Sequence, residues 1–139
     1  MFFEKDGYTA IDYVYTTPDT FDCPLALEGR GLKFDSVTGD IIARPFHKFF
    51  NVGERESTKS HNLDWADPGL RATDKLDGSM IHTAIVNDTL VFMTRKGITD
   101  VANQALDECI ADHAEMYRKC KEGITQIFEY ISPNNRIVF

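Results

Sequence analysis

Two β-branched, apolar runs lie side by side in this chain, "SMIHTAIV" (79–86) and "TLVFMTR" (89–95), with only Asn87-Asp88 between them. That arrangement limits the fold more than any other feature of the sequence. Residues rich in Val, Ile, Thr and Phe suit a pleated surface, and a two-residue link of Asn and Asp tolerates the left-handed backbone of a tight hairpin turn. The spacing therefore predicts an antiparallel strand pair. An isolated hairpin is marginal in water, so other elements must pack on it.

The flanking sequence supplies candidates. "YTAIDYVYTTPDTFDCP" predicts a short strand followed by a proline-containing loop. "GRGLKFD", the turn "SVTGD" and "IIARPFHKFF" predict a second hairpin, with Gly31 to Asp35 running one way and Asp40 to Arg44 returning. Pro45 lacks an amide donor and should end the returning strand or mark a sheet edge. Residues 51–72 are polar and read as a loop with one helical turn. From Thr99 to Cys120, Val101, Ala105, Leu106, Cys109, Ile110, Ala114 and Tyr117 recur at helical spacing, which predicts one long packing helix capped by Thr99 or Asp100 and stopped by Gly123. "ITQIFEYI" predicts a strand, "SPNN" a turn and "RIVF" a last strand. The expected class is α+β: antiparallel strands backed by one main helix.

Composition bears on partners. The 139 residues suit about one domain, and a net charge of −7 argues against a protein held to nucleic acid by bulk electrostatics. Local phosphate contacts remain open, because 15 basic residues are present and their placement matters more than their sum. No continuous apolar stretch reaches about 18 residues, so no membrane-spanning helix is expected. "MFFEKDGYTAIDY" does not have the pattern of a signal peptide. Cys23, Cys109 and Cys120 lack metal-ligand spacing and read as reduced thiols, which favours a cytoplasmic setting, in a host cell if the source is viral. His47 and His82 read as strand-face residues.

The chemistry concentrates where the central hairpin begins. Lys75 stands just before it in "KLDGS". A free lysine amine, with a pKa of about 10.4, is a poor nucleophile at neutral pH, and it becomes a good one only if it is dehydrated or crowded by other cations. Arg30, Lys48, Arg95 and Lys96 could crowd it if the strands bring them together. Asp77 lies on the same side as Lys75 in an extended chain, and Gly78 lets backbone approach a ligand closely. The competing reading is an ordinary Asp-Gly surface turn with a lysine beside it.

Four further stretches surround "KLDG" in order: "EGRGLKF", "ARPFHKFFN", "TRKG" and "FEYISPNNRIVF". With them, the chain resembles the adenylation domain of ATP-dependent RNA ligases of the phage tRNA-repair branch (RNA ligase 1 type). These belong to the covalent nucleotidyltransferase superfamily, whose nucleophile motif Lys-x-Asp-Gly matches Lys75, Asp77 and Gly78. The likeness runs from about Leu25 to Phe139. It implies that Lys75 attacks the α-phosphate of ATP to give a lysyl-AMP, that AMP passes to an RNA 5′-phosphate, and that an RNA 3′-hydroxyl displaces it. By motif position, Arg30, Lys48 and Lys96 would neutralise the triphosphate. Glu129 would contact the ribose or a water on Mg²⁺ or Mn²⁺, unless it is a solvent-facing strand residue beside inward-turned Phe128 and Tyr130. Phe49 and Phe50 would wall the adenine, or one of them would be core. Arg136 would support the site or cap a turn.

The family's pattern continues beyond what this chain holds, with a further metal-binding carboxylate, a strand bearing two lysines and a C-terminal helical domain. Residues 1–139 are thus expected to be the N-terminal portion of one adenylation domain, apparently truncated. Such a piece should bind ATP weakly, adenylate slowly and leave an open sheet edge near Phe139 for a complementing C-terminal segment or self-association. A non-catalytic or split-enzyme nucleotide-binding remnant, and a DNA ligase or capping-type enzyme, are the alternatives.

Overall fold

The computed structural model describes residues 1–135. The strand expected at "RIVF", and with it Arg136, lies outside the described residues. Two antiparallel sheets face each other. The first has the order β1-β2-β3-β4, with β1 Phe2–Lys5, β2 Tyr8–Ile11, β3 Leu32–Asp35 and β4 Ile41–Ala43. The second has the order β6-β5-β7, with β5 Ser79–Val86, β6 Thr89–Met93 and β7 Ile127–Tyr130. Among the described residues the α-helices fall within the connections of each sheet: α1 Pro24–Glu28 between β2 and β3, and α2 Asp100–Glu108 and α3 His113–Lys121 between β6 and β7. The architecture is α+β with antiparallel sheets, as the sequence predicts. Among the described residues no helix is long and apolar enough to cross a membrane.

The central hairpin forms as expected. Val86 pairs with Thr89, and Asn87 and Asp88 both take positive φ, 48° and 61°, which matches the twist of a primed two-residue turn. The second predicted hairpin is β3–β4. Its turn is closed by the Asp35 carboxylate, which accepts from the amides of Val37 and Thr38 at 2.8 Å each. Strand β4 is an edge strand and stops at Ala43, two residues before Pro45.

Alternation along β5 sorts the core into two clusters. Ala84 and Val86, with Met93 of β6, pack on Tyr8, Ala10 and Ala43 of the first sheet. Ile81 and Phe92 face the other way, against Ala102, Ala105, Met116 and Tyr130. Each face of the central hairpin is thus covered by a different partner.

Several expectations need correction. The long helix over 99–120 is two helices split by a 3₁₀ turn at Ile110–Asp112. Thr99 does cap the start, its hydroxyl accepting from the amide of Ala102, and Gly123 ends the second helix at φ 81°. At the break, Ile110 is exposed and the Leu106 carbonyl is met by the Cys109 amide and by His113 Nε2 at 2.8 Å. The break rotates α3, so that Ala114 is exposed and Met116 enters the core instead. His47 lies in an extended loop after β4 and is exposed, whereas His82 is a strand residue, completely buried. The first hairpin, β1–β2, turns at Asp6-Gly7, a pair that by itself signals such a turn but goes unread in the expectations above. The short helix α1, opened by Pro24, is likewise additional.

Candidate functional site: a cationic cleft at the end of the central hairpin

Past β6 the chain makes a tight turn. Thr94 and Gly97 exchange backbone hydrogen bonds at 2.8 and 3.0 Å, which leaves Arg95 and Lys96 at its tip. Gly97 has φ 112°, and a Cβ there would lie 3.2 Å from the ring of Tyr8, so the position suits glycine alone. The tip lies beside the start of β3 and the start of β5. Together these form an open cleft of about 340 Å³ lined by Arg30, Gly78, Ser79, Met80, Thr94, Arg95 and Lys96. Four of the residues singled out in the sequence, Arg30, Gly78, Arg95 and Lys96, therefore meet in one place. Strand register adds a fifth. Glu129 is paired directly opposite Met80, and opposite residues of an antiparallel pair share a face. Glu129 is exposed, while Phe128 and Tyr130 pack toward the helices, so its carboxylate is on the cleft side of β7 and open to solvent.

Gly78 earns its place differently from the expectation. A Cβ on it would overlap the Tyr130 carbonyl group, lying 2.9 Å from its carbon. The close approach the glycine permits here is to strand β7, while its backbone also lines the cleft.

The remaining residues are less gathered. Lys48 does not line the cleft. Its amine sits 4.4 Å from the Phe50 ring centroid and pairs with Glu54 at 3.2 Å. Phe50 also carries the Arg55 guanidinium at 4.8 Å and meets Phe21 edge-on at 5.7 Å, so it is occupied as part of a small aromatic cluster. Phe49 is exposed, with the Arg30 guanidinium 5.4 Å over its ring. Asp77 is half-buried. Lys75 is exposed, in the extended segment that leads into β5, and is not among the residues lining the cleft. The expectation of an amine already enclosed by cations is not met by this conformation, because the segment around it has no sheet or helix to hold it against the cleft wall.

Behind the cleft lies a charge network that the motifs did not announce. Lys33 is completely buried, on the inner face of β3 with Ala10 and Ala43 as its cross-strand partners. Its amine donates to the Gly31 carbonyl and, at 3.1 Å, to the Arg95 carbonyl, and lies 3.5 Å from His82 Nε2. Burial lowers its pKa to about 8 against the opposing pull of Asp12. Burial, with the Lys33 charge beside it, lowers His82 to about 4. Asp12, also buried, holds Arg95 at 2.8 Å, and Arg95 stacks 5.1 Å over Tyr13. An alternation pattern puts Leu32 and Phe34 inside and Lys33 out; the carbonyls that accept from the inward lysine are placed by the fold and leave no signal in the sequence.

Among the described residues no three His, Cys, Asp or Glu side chains gather as a metal cage. A magnesium ion carried mainly by phosphates needs only one or two protein carboxylates. Glu129, open on the cleft side, fits that requirement.

The chain is an α+β protein of two facing antiparallel sheets with guanidinium and ammonium groups at an open end, side chains of the kind that pair with phosphate. The sequence places it more narrowly: the RNA ligase family profile matches residues 28–139, and the chain belongs to that family. It is 37% identical, over 97% of its length, to a protein provisionally named RNA ligase from Thermovibrio ammonificans. It is 32% identical over 94% of its length to RNA ligase 1 of Bacteriophage TS2126. A protein provisionally named bifunctional polynucleotide kinase/RNA ligase, from Autographa californica nuclear polyhedrosis virus, is 28% identical over 95% of the chain. The chain spans 36%, 35% and 22% of these relatives' lengths.

Proposed function

We propose that this chain is the nucleotide-binding part of an ATP-dependent RNA ligase that joins RNA 5′-phosphate and 3′-hydroxyl ends in RNA repair, tRNA among the candidate substrates, in the cytoplasm of its cell or host. The observation that carries the reading is the meeting of Arg30, Gly78 and Lys96 in one cleft, with Glu129 on the same side, in a chain whose overall charge is acidic. Family membership supports it.

In this reading the triphosphate lies along Arg30 and Lys96. The guanidinium contributes a forked contact and the ammonium a point charge. Phe49, exposed beside Arg30, is better placed than the occupied Phe50 to lie against the adenine. Lys75 Nζ attacks the α-phosphorus: the N–P bond forms, the bond to the bridging oxygen breaks, and pyrophosphate leaves with its electron pair while the amine loses a proton. The AMP is then passed to an RNA 5′-phosphate and displaced by a 3′-hydroxyl. Glu129, with Asp77 just before the strand that pairs with β7, would hold Mg²⁺ or Mn²⁺ through water. The metal supplies neutralisation of phosphate charge. What the chain itself supplies is position, because phosphoryl transfer depends mostly on alignment and charge. Lys75 must leave water and close on the cleft as nucleotide binds, and Lys48 must give up Glu54.

The exposure of Lys75 favours a second reading, nucleotide binding without transfer, in which the remainder of the relatives' length completes the site. One assay separates the two. The chain is incubated with α-labelled ATP and Mg²⁺, with and without that remainder supplied as a second polypeptide. Acid-labile, base-stable label on the protein that Lys75→Ala abolishes supports ligase chemistry. ATP binding without label, even with the remainder present, establishes the second reading in its place.

A further inference from the structure

We propose that Lys33 is a positioning residue for the cleft, its buried amine tying together the two chain segments that carry Arg30 and Lys96. The role rests on the reading just given, in which those two side chains hold the phosphates.

The geometry is specific. The two carbonyls that Lys33 meets belong to Gly31, one residue from Arg30, and to Arg95, whose carbonyl is half of the peptide bond to Lys96. Both stand just outside the regular strands: Gly31 precedes β3 and Arg95 sits in the turn after β6. Neither segment has ladder partners that would hold it against the other. The approach is close as well. A Cβ on Gly31, whose φ is +78°, would lie 3.1 Å from the Arg95 Cα. Lys33 thus fills the join between the two sheets at the point where both cations leave it.

The amine has three donors, and three acceptors surround it. The third is His82 Nε2 at 3.5 Å, while His82 Nδ1 lies 3.4 Å from the Thr83 carbonyl. A neutral imidazole protonated on Nδ1 satisfies both contacts. The other charged groups facing this point are Asp12, from the end of β2, and Arg95, which it holds. A buried lysine is costly, and an aliphatic side chain of the same length would fill the space. Such a side chain would leave the Gly31 and Arg95 carbonyls without their donor.

Lys33→Met makes that exchange in the 139-residue chain, and the probe is a fluorescent ATP analogue. The variant is expected to stay folded, because it replaces a desolvated charge with an apolar chain. Its affinity for the analogue is expected to fall about tenfold, the scale of a lost charged hydrogen bond. Backbone amides of Gly31, Lys96 and Gly97 are expected to exchange with solvent faster. As pH rises through about 8, where the amine gives up one of its three protons, the wild type is expected to lose more affinity than Lys33→Met. A folded variant with unchanged affinity and unchanged exchange overturns the proposal. If Lys33→Met does not fold, Lys33→Leu takes its place with the same readouts, and a wild-type chain whose Gly31 and Gly97 amides exchange as fast as those of the irregular segment overturns it instead. A wild-type chain that binds no nucleotide sinks the functional reading, and the exchange of Lys96 and Gly97 then decides the tie alone.

Discussion

Lys33 and Lys75 mark opposite extremes of this molecule. Between the sheets, Lys33 is completely buried with three acceptors around it, in a layer that also holds His82 and Asp12. In the stretch from Arg44 to Gly78, Lys75 is exposed, and the only regular structure is two 3₁₀ turns at Glu56–Thr58 and Ser60–Asn62. Long connections of this kind in a compact domain are usually functional. The Lys75 motif sits on the segment with the least regular structure, and the residues that line the cleft sit at the ends of strands. The cleft wall is built in advance. The position of Lys75 is not, and under the proposed function that amine has to move onto the cleft.

If that contrast is right, substitutions near the sheet junction should cost stability and those along the segment should not. Gly78, where the segment meets β5, is the boundary. Gly78→Val places branched carbon against the Tyr130 carbonyl and should destabilise the chain by roughly 3 kcal/mol or more, the upper range for overpacking. Urea unfolding measures this, and a loss under 1 kcal/mol would mean the junction yields.

Acid should act on the interior in the same direction. The folded pKa of His82, about 4, lies below its ordinary value of 6.5, so between these limits the unfolded chain binds more protons than the folded one. Stability should be full above pH 6.5 and fall as pH drops toward 4, by about 3 kcal/mol if the whole shift is expressed. Lys33 works toward the alkaline side. With its pKa lowered to about 8 from 10.5, the folded chain sheds its proton first, and stability should rise modestly between these values. Denaturant midpoints across pH read both limbs, and His82→Leu should flatten the acid one.

Thr99→Ala removes the hydroxyl that accepts from the Ala102 amide at the start of α2, and should cost about 1 kcal/mol, typical of an N-cap. Circular dichroism on thermal unfolding checks it. The smallest effect should come from Lys75→Ala, within about 0.5 kcal/mol of wild type, because an exposed side chain in an irregular segment contributes little to folding. A larger loss would show that Lys75 has structural partners and would undo the contrast.

The central hairpin, its Asn87-Asp88 turn, β3–β4 and β7 could all be read from local signals, since turn chemistry and alternation are encoded within a few residues. The helix break at Ile110–Asp112 could not, because apolar spacing continues through it and only packing on two different strands chose the split. The site divides similarly. Arg30, Gly78, Lys96 and Glu129 were named from motifs, and the fold shows the first three together with Glu129 in register beside them. Lys48 and Phe50 were named with them and are engaged with each other instead.

What this sequence settles unaided is its class and its central hairpins: an antiparallel α+β chain with basic residues spaced along the ends of its strands. Only the three-dimensional arrangement decided that an odd-numbered lysine in "GLKF" would turn inward between two sheets. The reason is that two of the acceptors for the buried amine, the His82 imidazole and the Arg95 carbonyl, lie 49 and 62 residues along the chain from Lys33, and no local pattern can announce a partner that folding alone brings within reach.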